Sequence, residues 1–209
     1  MLPTLRATKK GIPEVENDTF FTALHFFRQT GRHIMFMDLI RQRRSIRKFL
    51  DTPVEKEKTT LLQEAALRSP SSRSLNPWEF IFVTDAQLLT ELSGVKPHGA
   101  SFLKGAPLGI AVIADPKRCD VWVEDSSIAT IFLQLAAESM GLKSCWIQIR
   151  ERMFNEAISS EEEVRRILGI PENRKVLSIL AVGYGAESLK GHPETDLMRK
   201  KIHTNTYGG

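Results

Sequence analysis

The sequence predicts a domain in which helices and strands alternate, and three observations carry that prediction. Residues 108–114 (LGIAVIA) are an unbroken apolar run of strand length, which implies a central strand buried on both faces. Residues 126–140 repeat Ile128, Ile131, Phe132, Leu135 and Ala136 at helical spacing and stop at Gly141, the signature of a long helix. Residues 79–84 (EFIFVT) are β-branched and aromatic, and Asp85 follows as a cap for a helix carrying Leu88, Leu89 and Leu92 on one face, so strand passes directly into helix.

Taken in order, residues 1–36 read as an N-terminal extension. Pro3, Gly11, Pro13 and the early charges suggest loose chain, and Phe20, Phe21, Leu24, Phe26 and Phe27 suggest one short amphipathic helix before Gly31. Met35 and Met37 are alternative starts, so this piece is a start-site artefact or an arm that packs on a partner, and the domain proper runs from 37 to 209. Asp38 is placed to cap a short helix with Leu39 and Ile40. After Pro53, Leu61, Leu62, Ala65 and Ala66 outline a second helix that ends before Pro70. The helix after Asp85 closes at Gly94, and the central strand is followed by a polar turn, DPKRCD. Beyond the long helix, residues 145–149 (CWIQI) form a strand. Ser160 with Glu163 makes a capping box for a helix closing at Gly169, and residues 176–182 (VLSILAV) form the last buried strand. After Gly185 periodicity disappears, and the tail reads as an extended arm that must lie on something to be ordered.

Composition excludes several classes. The chain has 209 residues, 42% hydrophobic and 26% charged, which is ordinary for a globular protein and enough to bury a core without disulfide staples. Its two cysteines, Cys119 and Cys145, are too few for a disulfide framework, and no apolar run reaches membrane-spanning length, so reduced thiols and a cytoplasmic location are expected. A net charge of +4 is too mild to require nucleic acid.

Two segments offer chemistry. Arg41, Arg43, Arg44, Arg47 and Lys48 surround Ser45 (RQRRSIRKF), and so dense a set of cations suits a phosphate, whose oxygens guanidinium groups bind in pairs. A solvated basic face and a nucleic-acid contact remain open on spacing alone. Residues 69–78 (SPSSRSLNPW) form a loop stiffened by two prolines that presents Ser71, Ser72, Arg73, Ser74 and Asn76, either as an ordinary capped turn or as donors aimed at a flat polar edge. Other motifs fail. Gly183-Tyr184-Gly185 lacks the third glycine and the helix a dinucleotide site needs. There is no G-x-S-x-G or phosphate-binding P-loop, and the five histidines do not pair at metal-ligand spacing. Cys145 reads as a small buried side chain. A bound cofactor is left as the chemist.

In order, RQRRSIRKF, SPSSRSLNPWEFIFV, FLKGAPLGIAVIAD, EDSSIATIFLQLAAESMGLKSCWIQIR and VLSILAVGYGAE resemble the FMN-dependent nitroreductase family, over about residues 37–209. The resemblance implies an α+β fold: a central, mostly antiparallel mixed sheet flanked by helices, in an intertwined homodimer with two FMN sites at its interface and a C-terminal arm reaching over the partner. It implies that Arg43, Arg44 and Ser45 hold the FMN phosphate and ribityl end while Arg47 approaches the pyrimidine edge of the ring. Pro70, Ser71, Ser72, Ser74 and Asn76 match the loop that reaches the flavin from the other subunit, and Gln148 and Ile149 match the stretch facing its N5 edge. Lys190 is the nearest match to a C-terminal basic residue that contacts the phosphate, with His192 or Lys200 as substitutes. The implied reaction takes a hydride from NADH or NADPH and passes it to an electron-poor small acceptor such as a nitro compound, a quinone or an enone. Reductive dehalogenation or flavin-consuming chemistry on the same fold, and a basic nucleic-acid-binding module, are the alternatives. No side chain is required as acid or base. Only a short turn joins the strand ending at Ala114 to the long helix, where larger members insert helices, so an open pocket is expected, with Trp122 as a lining or core residue.

Overall fold

A computed structural model describes residues 36–209. The extension before them, with its expected helix around residues 20–27, lies outside the described residues. Four strands, β1 (Trp78–Val83), β2 (Leu108–Ala114), β3 (Lys143–Gln148) and β4 (Lys175–Gly183), form one sheet in the order β1-β2-β4-β3. All three pairings are antiparallel. The fold is α+β, with helices on both faces of the sheet.

Alternation along β2 shows why the sheet is covered twice. Leu108, Ile110 and Val112 join the core beneath α2 (Lys56–Leu67) and α4 (Trp122–Ser139), with Leu62, Ala66, Leu133 and Ala137. Ala111 and Ile113 join the opposite core, with Leu89 and Leu92 of α3 (Ala86–Ser93) and Val164 of α5 (Ser160–Leu168). Every residue of β2 is buried, as the unbroken apolar run requires.

Local chemistry sets the element ends. The Asp85 carboxylate accepts 2.8 Å from the Leu88 N–H at the start of α3. The capping box of α5 is one residue earlier than the sequence suggested: Ser159 Oγ accepts from the Glu162 N–H and the Glu162 carboxylate accepts from the Ser159 N–H, which leaves the Ser160 hydroxyl buried and unpartnered. Gly169 closes that helix in the left-handed conformation, φ 65°. Asp38 is a further correction. It lies inside the first turn of α1 (Phe36–Gln42), where it meets Arg41 at 3.3 Å, rather than capping it.

The long helix α4 departs most from the expectation. It begins four residues earlier, at Trp122, and the stripe that identified it is its solvent side: Ile128, Ile131 and Phe132 are 38–39% exposed. The buried side carries Ala129, Leu133 and Ala137 but also Asp125, Ser126, Thr130, Gln134 and Glu138. Apolar side chains therefore lie on both faces of this helix. Beyond Gly185 there are only two short 3-10 turns, Glu194–Asp196 and Arg199–Lys201, and nearly every residue is exposed. Among the described residues no helix is long and apolar enough to cross a membrane.

Candidate functional site

The basic segment after α1 runs along the outer edge of β3. Ser45 bridges Ser144 in parallel, with the Ile46 N–H donating 3.2 Å to the Ser144 carbonyl. The chain then crosses to the end of β4, where Phe49 bridges Gly185 and the Leu50 N–H donates 2.8 Å to the Tyr184 carbonyl. Side chains of an extended segment alternate. Ile46 is buried, and Arg43, Ser45 and Arg47 fall together toward Cys145 of β3. Burial pushes the Cys145 thiol up, while the Arg47 charge, a hydrogen bond with Ser45, and the charges of Arg43 and Lys96 act in the opposite direction. The thiol is therefore not an activated nucleophile. It marks where three positive side chains converge.

Further residues complete this side. The Arg47 guanidinium lies over the Phe102 ring, 5.8 Å from its centroid, and its backbone N–H donates 2.9 Å to the Glu187 carboxylate. Lys96, in the loop after α3, donates 3.1 Å to the Gln148 carbonyl at the end of β3. The Gln148 side chain is itself held, accepting 2.9 Å from the Trp146 indole and donating 2.9 Å to the Arg150 carbonyl. Ile149 is buried in the core and its N–H is used by the Leu177 carbonyl, so of the two it is Gln148 that meets solvent.

Arg44 stands apart from its neighbours. It lines a cleft of about 310 Å³ with Ile46, Lys143, Tyr184 and Glu187, and its guanidinium donates to the Lys190 carbonyl. Lys190 thus meets the basic segment through its backbone. The tail passes so close there that a Cβ on Gly191 would collide with the Arg41 carbonyl. His192, 3.8 Å from Asp196, and Lys200 lie in the exposed tail.

The serine-rich loop is strained. Arg73, Ser74 and Asn76 have φ of 52°, 53° and 46°, a region that costs an L-residue about 1–2 kcal/mol. Three contacts hold it there. The Ser71 hydroxyl donates 2.6 Å to Asn76 Oδ1 and accepts 2.9 Å from the Asn76 N–H. The Ser72 N–H donates 2.8 Å to buried Asp125, and Arg73 pairs with Asp120. Ser71 and Ser72 are half-buried, whereas Pro70, Ser74 and Asn76 are exposed. Trp122, one turn ahead of Asp125, is half-buried.

These two clusters do not meet within one chain. The loop leads into β1 at one sheet edge and Ser45 lies outside β3 at the other, four strand spacings or on the order of 19 Å apart. Lys96, Phe102 and Asp125 escaped sequence reasoning because nothing local marks them: the first two come from loops that only tertiary folding carries to β3, and the third was read as part of a helix start.

The donor set fits a phosphate-bearing, electron-accepting ring. Among the described residues neither Arg43 nor Arg47 forms an ion pair, although Arg41, Arg68, Arg73, Arg150, Arg166 and Arg174 all do. Unpaired guanidinium groups beside a hydroxyl are suited to an anion.

The nitroreductase family model matches residues 40–96 and 95–184. The fold is similar to a solved FMN-dependent nitroreductase from Clostridium difficile R20291, with a TM-score of 0.80 and 44% identity over 81% of this chain and 99% of that one. A protein of Archaeoglobus fulgidus whose name joins NADH dehydrogenase to NAD(P)H nitroreductase is 36% identical over 155 residues, 71% of this chain and 84% of its own. An NADPH-flavin oxidoreductase of Vibrio harveyi is 27% identical over 186 residues, 82% of this chain and 74% of its own. The residues matched by the family model include the basic segment, the strained loop and all four strands, and the chain belongs to the nitroreductase family.

Proposed function

We propose that the chain is an FMN-dependent oxidoreductase that works as a homodimer. FMN, when bound, would supply the redox chemistry, hydride transfer through its N5 from NADH or NADPH to an electron-poor small acceptor such as a nitro compound, a quinone or an enone. The observation that carries this reading is the pair of unpaired guanidinium groups, Arg43 and Arg47, flanking Ser45 on one side of the segment beside β3.

Each residue has a distinct part in it. Arg43 and Ser45 grip the phosphate and ribityl end, with Arg44 and Lys190 closing that end from the tail. Arg47, steadied by Phe102, places a fixed positive charge at the pyrimidine edge, where electron acceptance builds up negative charge. Gln148 and Ile149 set the backbone at the N5 edge. Nothing here has to act as acid or base, and the chain supplies position and electrostatics.

Two features of the single chain support the dimer. The solvent side of α4 is apolar, and Phe36, Met37 and Ile40 of α1 are exposed as well. Burying such a surface against a second copy is the ordinary way to remove it from water. The partner then brings residues 70–76, including Pro70, Ser71, Ser72, Ser74 and Asn76, to the Arg43–Arg47 side that the chain's own loop does not reach, and the exposed tail gains a surface to lie on. Cys119 and Cys145 are both free and buried, which accords with a cytoplasmic location.

The test is an absorbance spectrum of the purified protein with and without added FMN. A bound flavin gives a band at about 450 nm that NAD(P)H bleaches. A colourless chain that takes up no FMN overturns the reading.

A further inference from the structure

Lys96 and Arg152 stand at the same end of β3, outside the residues assigned to the cofactor. Lys96 reaches it from the loop after α3: its stem passes over Gly99, which is held at φ 77°, and its ammonium donates 3.1 Å to the Gln148 carbonyl. Arg152 arrives through the turn that ends the strand, its N–H donating 3.1 Å to the Ile149 carbonyl and its guanidinium 2.9 Å to the Glu151 carbonyl. Among the described residues neither finds a carboxylate. The nearest in sequence, Glu151, is paired with Arg150 at 2.6 Å.

We infer that Lys96 and Arg152 form an anion seat beside the N5 edge and determine specificity: the reactant that enters there carries a carboxylate or phosphate group. This rests on the cofactor reading above and adds the substrate class to it. The electrostatics point the same way. Burial, and then the Arg152 charge, hold Lys96 below the ordinary lysine range, with Cys145 acting in the opposite direction. Both side chains are anchored on the backbone at the end of β3, and a half-buried ammonium that feels a second positive charge is relieved by an anion bound there. The Lys96 ammonium keeps two of its three donors after the bond to Gln148, and the Arg152 guanidinium keeps most of its fork. The anion has two possible sources, an acceptor's carboxylate or the donor's phosphate, and both are the same chemistry to this pair.

The experiment measures ligand binding to the FMN-loaded protein through the change in flavin absorbance, comparing benzoate with benzyl alcohol and NADP⁺ with NAD⁺. Wild type is expected to prefer the more anionic member of at least one pair by about tenfold. Lys96→Met and Arg152→Met are expected to lose that preference, and Lys96→Arg to restore it. Loss of the benzoate preference assigns the seat to an acceptor carboxylate, and loss of the NADP⁺ preference assigns it to the donor's extra phosphate. No preference in wild type, or a preference that survives in both methionine variants, overturns the inference. Arg152 is exposed, so its variant reports even if Lys96→Met folds poorly. A chain that cannot be loaded with FMN instead overturns the cofactor reading itself.

Discussion

The buried carboxylate of Asp125 on α4 accepts a 2.8 Å hydrogen bond from the Ser72 N–H, and a second, of 3.3 Å, from the Cys119 thiol. One side chain therefore ties the strained loop to the helix whose far side is apolar. Asp125→Ala strands the Ser72 N–H and leaves a small void, and it is expected to cost about 1–3 kcal/mol in urea unfolding. Asp125→Asn keeps an acceptor oxygen at the same place and should recover most of that loss. Equal losses in both variants would show that the contact does not hold the loop.

Ile131 and Phe132 are exposed on a helix whose other side is buried in the core. Replacing either with aspartate leaves the core of a single chain untouched but puts a charge into the proposed dimer surface. Phe132→Asp is expected to shift the protein from dimer to monomer by sedimentation, and to release its flavin in the same concentration range, because the loop from the partner leaves with it. A variant that stays dimeric would place the interface elsewhere.

The two cases show how far local reading extends. The strands were legible because β2 is apolar without interruption and because Asp85 and Gly94 bracket α3 by chemistry that depends on a few neighbouring residues. On α4 the same reasoning found the helix but not which side the sheet covers. Ile128, Ile131 and Phe132 outweigh Ala129, Leu133 and Ala137 in apolar bulk, and periodicity does not distinguish a face buried by the chain's own sheet from one left exposed. The basic segment could be found by charge alone. That Arg44 turns to the tail while Arg43 and Arg47 face Cys145 follows from the pairing of Ser45 with Ser144, a contact between residues 99 positions apart.

That split makes the arginines separable. Arg47→Ala and Arg43→Ala each remove a charged donor from the cofactor side, and each is expected to weaken FMN binding about 10- to 100-fold, read by quenching of flavin fluorescence. Arg44→Ala removes a contact made to a carbonyl of the exposed tail and should weaken it less than either. Three equal losses would mean that all three guanidinium groups contact the phosphate, and that the Arg44 bond to Lys190 is exchanged for it on binding.

Acid stability depends on the cluster where Tyr184, just past β4, meets the start of α2. The Tyr184 hydroxyl donates 2.7 Å to the Glu55 carboxylate and accepts 2.6 Å from the Lys58 ammonium, which also lies 4.8 Å from the ring centroid. The Tyr184 hydrogen bond, then a backbone bond, hold the Glu55 carboxyl below its ordinary range against the opposing effect of burial, and the Lys58 charge adds to the lowering. A carboxyl depressed in the folded chain contributes stability above the unfolded value near 4.5, and that contribution is lost as pH falls through the folded value. Tyr184→Phe removes the hydrogen bond but keeps the ring. Wild type is therefore expected to exceed the variant in urea midpoint at pH 7, with the gap narrowing as pH drops below about 4.5 toward 3. What survives at pH 3 is the part owed to the Lys58 hydrogen bond. A gap that stays constant from pH 7 to 3 would assign the whole effect to Lys58 and none to Glu55.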